Sequence, residues 1–351
     1  MRKIFILVGI MTMVATSAYS QKAELSVIPR VDFNGLPPLN GNGNSNFNFS
    51  NSALYTELEG DFNEHLSFYL CNHWFARHPE NLYDNTWHSD NPNWLDAANV
   101  TYSTGNWSFT AGKDGMAVGT FEMDANDYDI YMDMSSYLWY MLQTYQWGVK
   151  VGYELPSETT TFELQATTSP FGTRPFSSKL YAYALKVSGE YGKYSGIWSA
   201  NMMEIEKGKY VSMLALGNKI ELGNFDLTLD WSNRAIGTSR FFNQEMGFSG
   251  MLQYNMPKLE LFGKIGYELT HGNEEIFLCQ YDDKEECEYD GGDLLPDGLQ
   301  KGKDLMYGSV GANWYPLKER DLRLHSVVSM NNYSNNFSIN IGATYFFNVK
   351  L

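Results

Sequence analysis

From residue 23 onward the chain alternates apolar and polar side chains, with little trace of helical spacing. The C-terminal stretch is the clearest case. Phe337, Ile339, Ile341, Ala343, Tyr345, Phe347, Val349 and Leu351 fall on one face, and Ser338, Asn340, Gly342, Thr344, Asn348 and Lys350 on the other, with Phe346 the exception. Residues 147–154, 225–231 and 259–269 repeat the pattern. The alternation predicts sixteen strands. They lie at about 23–33, 52–61, 65–75, 94–103, 106–113, 145–154, 159–168 and 179–189, then 193–204, 209–220, 224–232, 244–255, 258–271, 305–316, 321–331 and 335–351.

The connections alternate in length. Short ones fall at 61–64, 103–106, 155–158, 190–193, 221–224, 256–258 and 317–320; most of the others are longer, above all 114–144 and 272–304. Short turns at one end and long loops at the other are the pattern of a transmembrane barrel. An even strand count and strands of about 9–11 residues also fit a tilted span. A soluble sandwich would alternate in the same way. Three features favour lipid: aromatics gather near strand ends (Trp107, Trp147, Trp314, Tyr102, Tyr153, Tyr254), the apolar faces rarely carry charge, and the sequence stops on a strand. The fold expected is therefore all-β, an antiparallel transmembrane β-barrel of about 16 strands with an inward constriction loop. An extra hairpin at 117–142 would raise the count to eighteen.

Composition narrows the partners. The 351 residues hold 25 Lys+Arg against 41 Asp+Glu, a net charge of −16, and 15% of them are aromatic. So acidic a chain repels nucleic acid, and so many aromatics argue against disorder. Met1-Arg2-Lys3, an apolar run over 4–15 and small residues at Ala18 and Ser20 read as a signal peptide, residues 1–20, cleaved before Gln21. The barrel would then occupy 21–351. Export implies an oxidising space, where Cys279 and Cys287, eight apart in one polar stretch, would close a local disulfide. Cys71 is expected to stay free.

Sixteen strands enclose a lumen too wide for side chains to fill. Strand parity turns Arg30, Glu57, Glu59, Lys150, Glu163, Asp226, Asp230, Glu260, Lys264, Glu268 and Arg323 toward it, with Asp32, Glu154, Lys186, His325 and Lys350. The connection 114–144 is too long for passive linkage. It carries Asp114, Glu122, Asp124, Asp127, Asp129 and Asp133 with no Lys or Arg, a net charge of −6. Folded inward it would narrow the pore, with Lys113 and Glu122 at its base, and a negative constriction would favour cations. The stretch 272–304 nets −8. Its dense carboxylates could take a hard cation such as Ca²⁺, although Glu288 to Asp293 lacks EF-hand spacing; no other cofactor is expected. His73, His78 and His88 with Asp84 and Asp90 match no zinc motif. No hydrolase, metalloprotease or phosphate-loop signature occurs, so no enzyme is expected.

The stretches 94–102 (WLDAANVTY), 107–113 (WSFTAGK) and 119–122 (GTFE) resemble the phosphate-selective porin O/P-like family of Gram-negative outer membranes. In that family a strand pair ends in Gly-Lys before the constriction loop. The resemblance implies a sixteen-stranded, trimeric diffusion channel. Phosphate selectivity there depends on basic pore residues, and this loop has none after Lys113. The chain also departs in ending on Leu351, where these barrels commonly end in Phe. The function expected is an outer-membrane porin set in lipid, possessing no catalytic residues, that passes small hydrophilic solutes or ions with a cation or neutral preference. A structural or adhesive barrel with a plugged lumen, or a secreted β domain that binds glycans, are the alternatives. If the disulfide merely pins a loop, Cys279→Ser leaves heat-modifiable gel mobility unchanged; loss of membrane insertion would contradict it.

Overall fold

The computed structural model describes residues 22–37, 46–49, 52–74, 95–126, 136, 144–172, 176–236, 241–242, 245–269, 304–332 and 337–351. Their strands are β1 (Lys22–Leu36), β2 (Asn46–Asn48), β3 (Ala53–Asn63), β4 (Leu66–Trp74), β5 (Leu95–Thr104) and β6 (Trp107–Gly115). Next come β7 (Tyr145–Glu154), β8 (Thr160–Thr168), β9 (Tyr181–Tyr191), β10 (Tyr194–Glu206), β11 (Lys209–Leu222) and β12 (Phe225–Ile236). The last are β13 (Glu245–Asn255), β14 (Leu259–Leu269), β15 (Leu305–Trp314), β16 (Leu322–Asn331), β17 (Ser338–Tyr345) and β18 (Phe347–Lys350).

Consecutive strands pair antiparallel from β3 to β17, and β1 closes the ring by pairing with β3 on one side and β17 and β18 on the other. Two of the eighteen are not separate staves. β17 and β18 keep one register against β1, Arg30 opposite Thr344 and Val27 opposite Phe347, so they are a single strand interrupted at Phe346. That register sets Tyr345 opposite Pro29, which has no N–H to give the ladder. β2 adds only to the far end of β1, with Phe47 opposite Gly35. The barrel therefore has sixteen staves. The expected strands all form; the 224–232 strand runs on to Ile236, and β2 lies outside the sixteen expected. Among the described residues the extra hairpin at 117–142 contributes no strand, since 116–126 forms none.

Two-residue turns join several staves. Gly192, Gly208 and Gly223 take positive φ, and at Gly192 and Gly223 (both 69°) the turn needs the left-handed backbone that glycine adopts freely. The described short turns otherwise match those expected.

The two faces of the sheet have opposite chemistry. Val31, Val149, Leu164, Ile265, Val310 and Ile341 point outward and are exposed, Ile265 by 71%. Asp32, Asn201, Arg234, Glu268, His325 and Thr344 point inward and are buried. A soluble sandwich would hide the first set and hydrate the second, so the glycan-binding soluble domain is set aside. The outward apolar band needs hydrocarbon, and in hydrocarbon the ring must close because no water is there to satisfy a free edge. Exposed Tyr102, Trp107, Tyr191, Phe225, Trp314 and Tyr345 ring the short-turn end, where amphipathic rings meet the headgroups. Trp107 and Tyr153 pack 4.6 Å apart there, as do Phe225 and Tyr254.

Ile265 sits mid-strand on β14, so Ile265→Arg should destabilise the barrel by about 2–4 kcal/mol. Urea unfolding in lipid vesicles measures this, and an unchanged midpoint would contradict the outward assignment.

Candidate functional site

After Gly115 the chain does not pass straight to β7 but turns into the barrel. The polar backbone of 116–126 is then buried without a ladder of its own, and such groups need partners. The inner wall supplies them. Ala117 donates its N–H to Gln165 Oε1 (2.7 Å) and accepts from Asn201 Nδ2 (2.9 Å). Gly119 donates to Ser199 Oγ (2.7 Å). Phe121 and Glu122 donate to the two carboxylate oxygens of Asp230 (3.1 and 3.0 Å). One aspartate thus holds two successive N–H groups with charge-assisted bonds. The Thr120 hydroxyl and carbonyl accept from Met123 and Asp124 and close a turn.

Close approach needs glycine. A Cβ on Gly119 would fall 2.6 Å from the Trp198 carbonyl carbon, and one on Gly217 would fall 2.8 Å from Thr120 Cα. The loop also covers an apolar patch that strand parity places, against expectation, inside the barrel. Met116, Val118 and Met123 pack with Phe171, Met203, Val211 and Met213. Burying that patch adds hydrophobic free energy to the wall bonds.

The described acids of the loop, Asp114, Glu122 and Asp124, do not stand bare. Asp114 pairs with Lys150 (2.8 Å), Lys150 with Glu163 (3.4 Å), Glu163 with Lys186 (3.9 Å) and Lys186 with Asp124 (2.5 Å). This ladder crosses β6 to β9 and ends on the loop. Glu122 pairs with the buried Lys264 at 3.1 Å and also accepts the Ser136 N–H. Asp124 remains 45% exposed to the lumen.

The other expected residues take varied places. Arg30 pairs with Asp32 (2.5 Å), which approaches His325 (3.3 Å) at the closing seam. Glu57 accepts from Tyr69 Oη, and Glu59 is exposed on the same face. Asp226 meets Lys219 and Asn255. Glu260 holds Arg320, Asn313 and the Tyr315 hydroxyl. Glu268 is fully buried, and Arg323 donates to Thr344 (3.3 Å). Lys113 is buried, stands in register with Ala98 and Trp147, and its Nζ donates to the Leu95 carbonyl. Asp127, Asp129 and Asp133 lie outside the described residues, as do residues 1–21, Cys279, Cys287, His78, His88, Asp84, Asp90 and the acidic stretch up to 303. Cys71 is buried, and His73 Nδ1 lies 2.5 Å from Asp96 Oδ1.

The sequence pattern of one family, phosphate-selective porin O and P, matches residues 25–244. The chain belongs to this family. Solved structures share the fold at low identity. The outer membrane channel DcaP of Acinetobacter baumannii is 12% identical with a TM-score of 0.60, over 93% of this chain and 98% of DcaP. OmpT of Vibrio cholerae, an outer membrane protein solved in a trimer form, is 13% identical with a TM-score of 0.56, over 94% of this chain and 100% of OmpT. A mutant of Rh. blastica porin is 10% identical with a TM-score of 0.53, over 93% of this chain and 100% of that one. No curated protein matches the chain by sequence. The porin is an outer-membrane β-barrel, a channel for small solutes.

Sequence reading missed Gln165, Ser199, Asn201 and Gly217 as holders of the loop. A signal was present at three of them, since Ser199, Asn201 and Gly217 are small or uncharged and polar at inward positions two residues from Ile197, Met203 and Ala215; Gln165, between Glu163 and Thr167, carried none. Gly217→Val should push 119–122 off the wall. Liposome swelling should then show faster entry of larger sugars with the barrel still heat-modifiable, and an unchanged size limit would contradict the packing.

Proposed function

We propose that this porin is a passive diffusion channel, not an enzyme, that admits small hydrophilic solutes and favours cations and neutral molecules over phosphate and other anions. The observation that carries the reading is the pairing of lumen cations with carboxylates. Lys150, Lys186, Lys219 and Lys264 each sit within 4 Å of an acid, and Lys150 and Lys186 each touch two. An anion entering this lumen meets ammonium groups already neutralised, and the half-open Asp124 repels it. Glu122 and Asp124 are the constriction residues, with Asp127, Asp129 and Asp133 adding charge farther along the same loop. A homotrimer is the proposed assembly, in line with the trimer form of the OmpT structure; Ca²⁺ uptake by the acidic 272–304 stretch remains a secondary proposal.

Reversal potentials of the reconstituted porin in a salt gradient test the preference. The expected result is a cation-side potential that moves toward anions in Asp124→Asn, where Lys186 loses its shorter ion pair. A clear anion preference in the wild type would overturn the selectivity, and absence of conductance would overturn the channel.

A further inference from the structure

The inward loop is held by two kinds of tie. At its base, residues 116–119, the wall partners are neutral: Gln165 and Asn201 bind the backbone of Ala117, and Ser199 binds that of Gly119. At its tip, residues 120–126, every polar tie to the wall among the described residues runs through a carboxylate. Asp230 accepts the N–H groups of Phe121 and Glu122, Glu122 pairs with Lys264, and Asp124 pairs with Lys186. Acid therefore acts on the tip and spares the base.

Asp230 differs from the other two acids. Its two oxygens answer neutral N–H groups rather than an ammonium, one oxygen to each (3.1 and 3.0 Å). The residue is 8% exposed. Around it stand Glu122 of the loop, Lys264 and Glu268 of β14 and Tyr307 of β15. Its register partners, Gly217 on β11 and Ser249 on β13, carry no charge. Burial and the Glu122 carboxylate oppose a charge on Asp230, while Lys264 and the two N–H groups support it. The N–H groups are there only while the tip is seated. Protonation puts a hydrogen on one of the two oxygens, which then faces an N–H as donor to donor. One backbone group of the tip is left without its acceptor in a buried place. Seating the tip and protonating Asp230 thus compete. The released state binds more protons, so it gains as pH falls.

We propose that Asp230 is a positioning residue whose charge seats the tip of the loop, so that acid frees 120–126 from the wall while 116–119 stay in place. The consequence for transport rests on the loop bounding the pore, as in the proposed function: larger solutes then enter faster in acid.

The test follows amide hydrogen exchange of the full-length porin in detergent from about pH 7 to about pH 4.5, each rate corrected for its intrinsic pH dependence. Residues 120–124 should lose about tenfold or more of their protection in acid, with 116–119 and the barrel strands unchanged. Asp230→Asn keeps the shape but presents one oxygen, and should show the low protection at every pH; Asp124→Asn should keep the acid response. Protection that holds through acid in the wild type, a measurement that needs no variant to fold, would overturn the proposal. So would an acid response that survives in Asp230→Asn. Liposome swelling over the same pH range reads the pore separately, and entry of larger sugars should quicken in acid in the wild type and not in Asp230→Asn. Lost protection with unchanged entry would uphold the role of Asp230 and overturn the loop as the boundary of the pore.

Discussion

The structure depends on one constraint: in hydrocarbon every backbone N–H and C=O must find a partner inside the protein. A sheet with a free edge cannot meet it. β1 therefore pairs on both sides, with β3 and with the β17–β18 strand, and the seam between first and last strands carries unusual polar weight. Arg30, Asp32 and His325 interact there, and Asn340 donates to Asp32 (3.2 Å) and Asn34 (2.6 Å). Closure also fixes the two chemistries of the wall. Alternation turns one set of side chains to lipid, and the other must line a lumen wide enough for water.

The lumen then poses a second problem of the same kind. A loop that enters it brings backbone groups with no ladder to join. The solution is a set of inward side chains whose role is to receive that loop. Gln165, Ser199, Asn201 and Asp230 bind its backbone, Gly119 and Gly217 let the two chains touch, and the apolar patch on β10 and β11 gives it a dry seat. Each contact restrains the loop against the inner wall. Its acids answer lysines of the wall, so attachment and electrostatics use the same groups. Asp124 both ties the loop to Lys186 and leaves part of its charge to the lumen.

The barrel was legible in the sequence because a strand's two faces alternate with period two and lipid demands strict apolarity on one of them. Loop length and charge likewise marked 114–144. What alternation cannot supply is partnership at long range. Asp124 meets Lys186 and Glu122 meets Lys264, residues brought together only when sixteen staves close. Asp114, Glu122 and Asp124 therefore looked barer in the sequence than they are. Lys113 shows the limit of a motif: Gly-Lys marked the end of the strand before the loop, and the structure adds that the lysine is buried with its ammonium on the Leu95 carbonyl of β5. Phe346 broke the alternation in the sequence, and the structure gives the reason. Its ring turns inward against the Ile28–Ala53–Tyr55 cluster and under the Arg323 guanidinium.

The account turns on the loop standing in the path of the solute. Single-channel recording of Asp124→Cys, with Cys279 and Cys287 replaced, tests this directly when a bulky thiol reagent is added from the bath. Attachment at position 124 should cut the current in discrete steps, one for each channel modified. A current that stays constant after complete labelling would contradict the account.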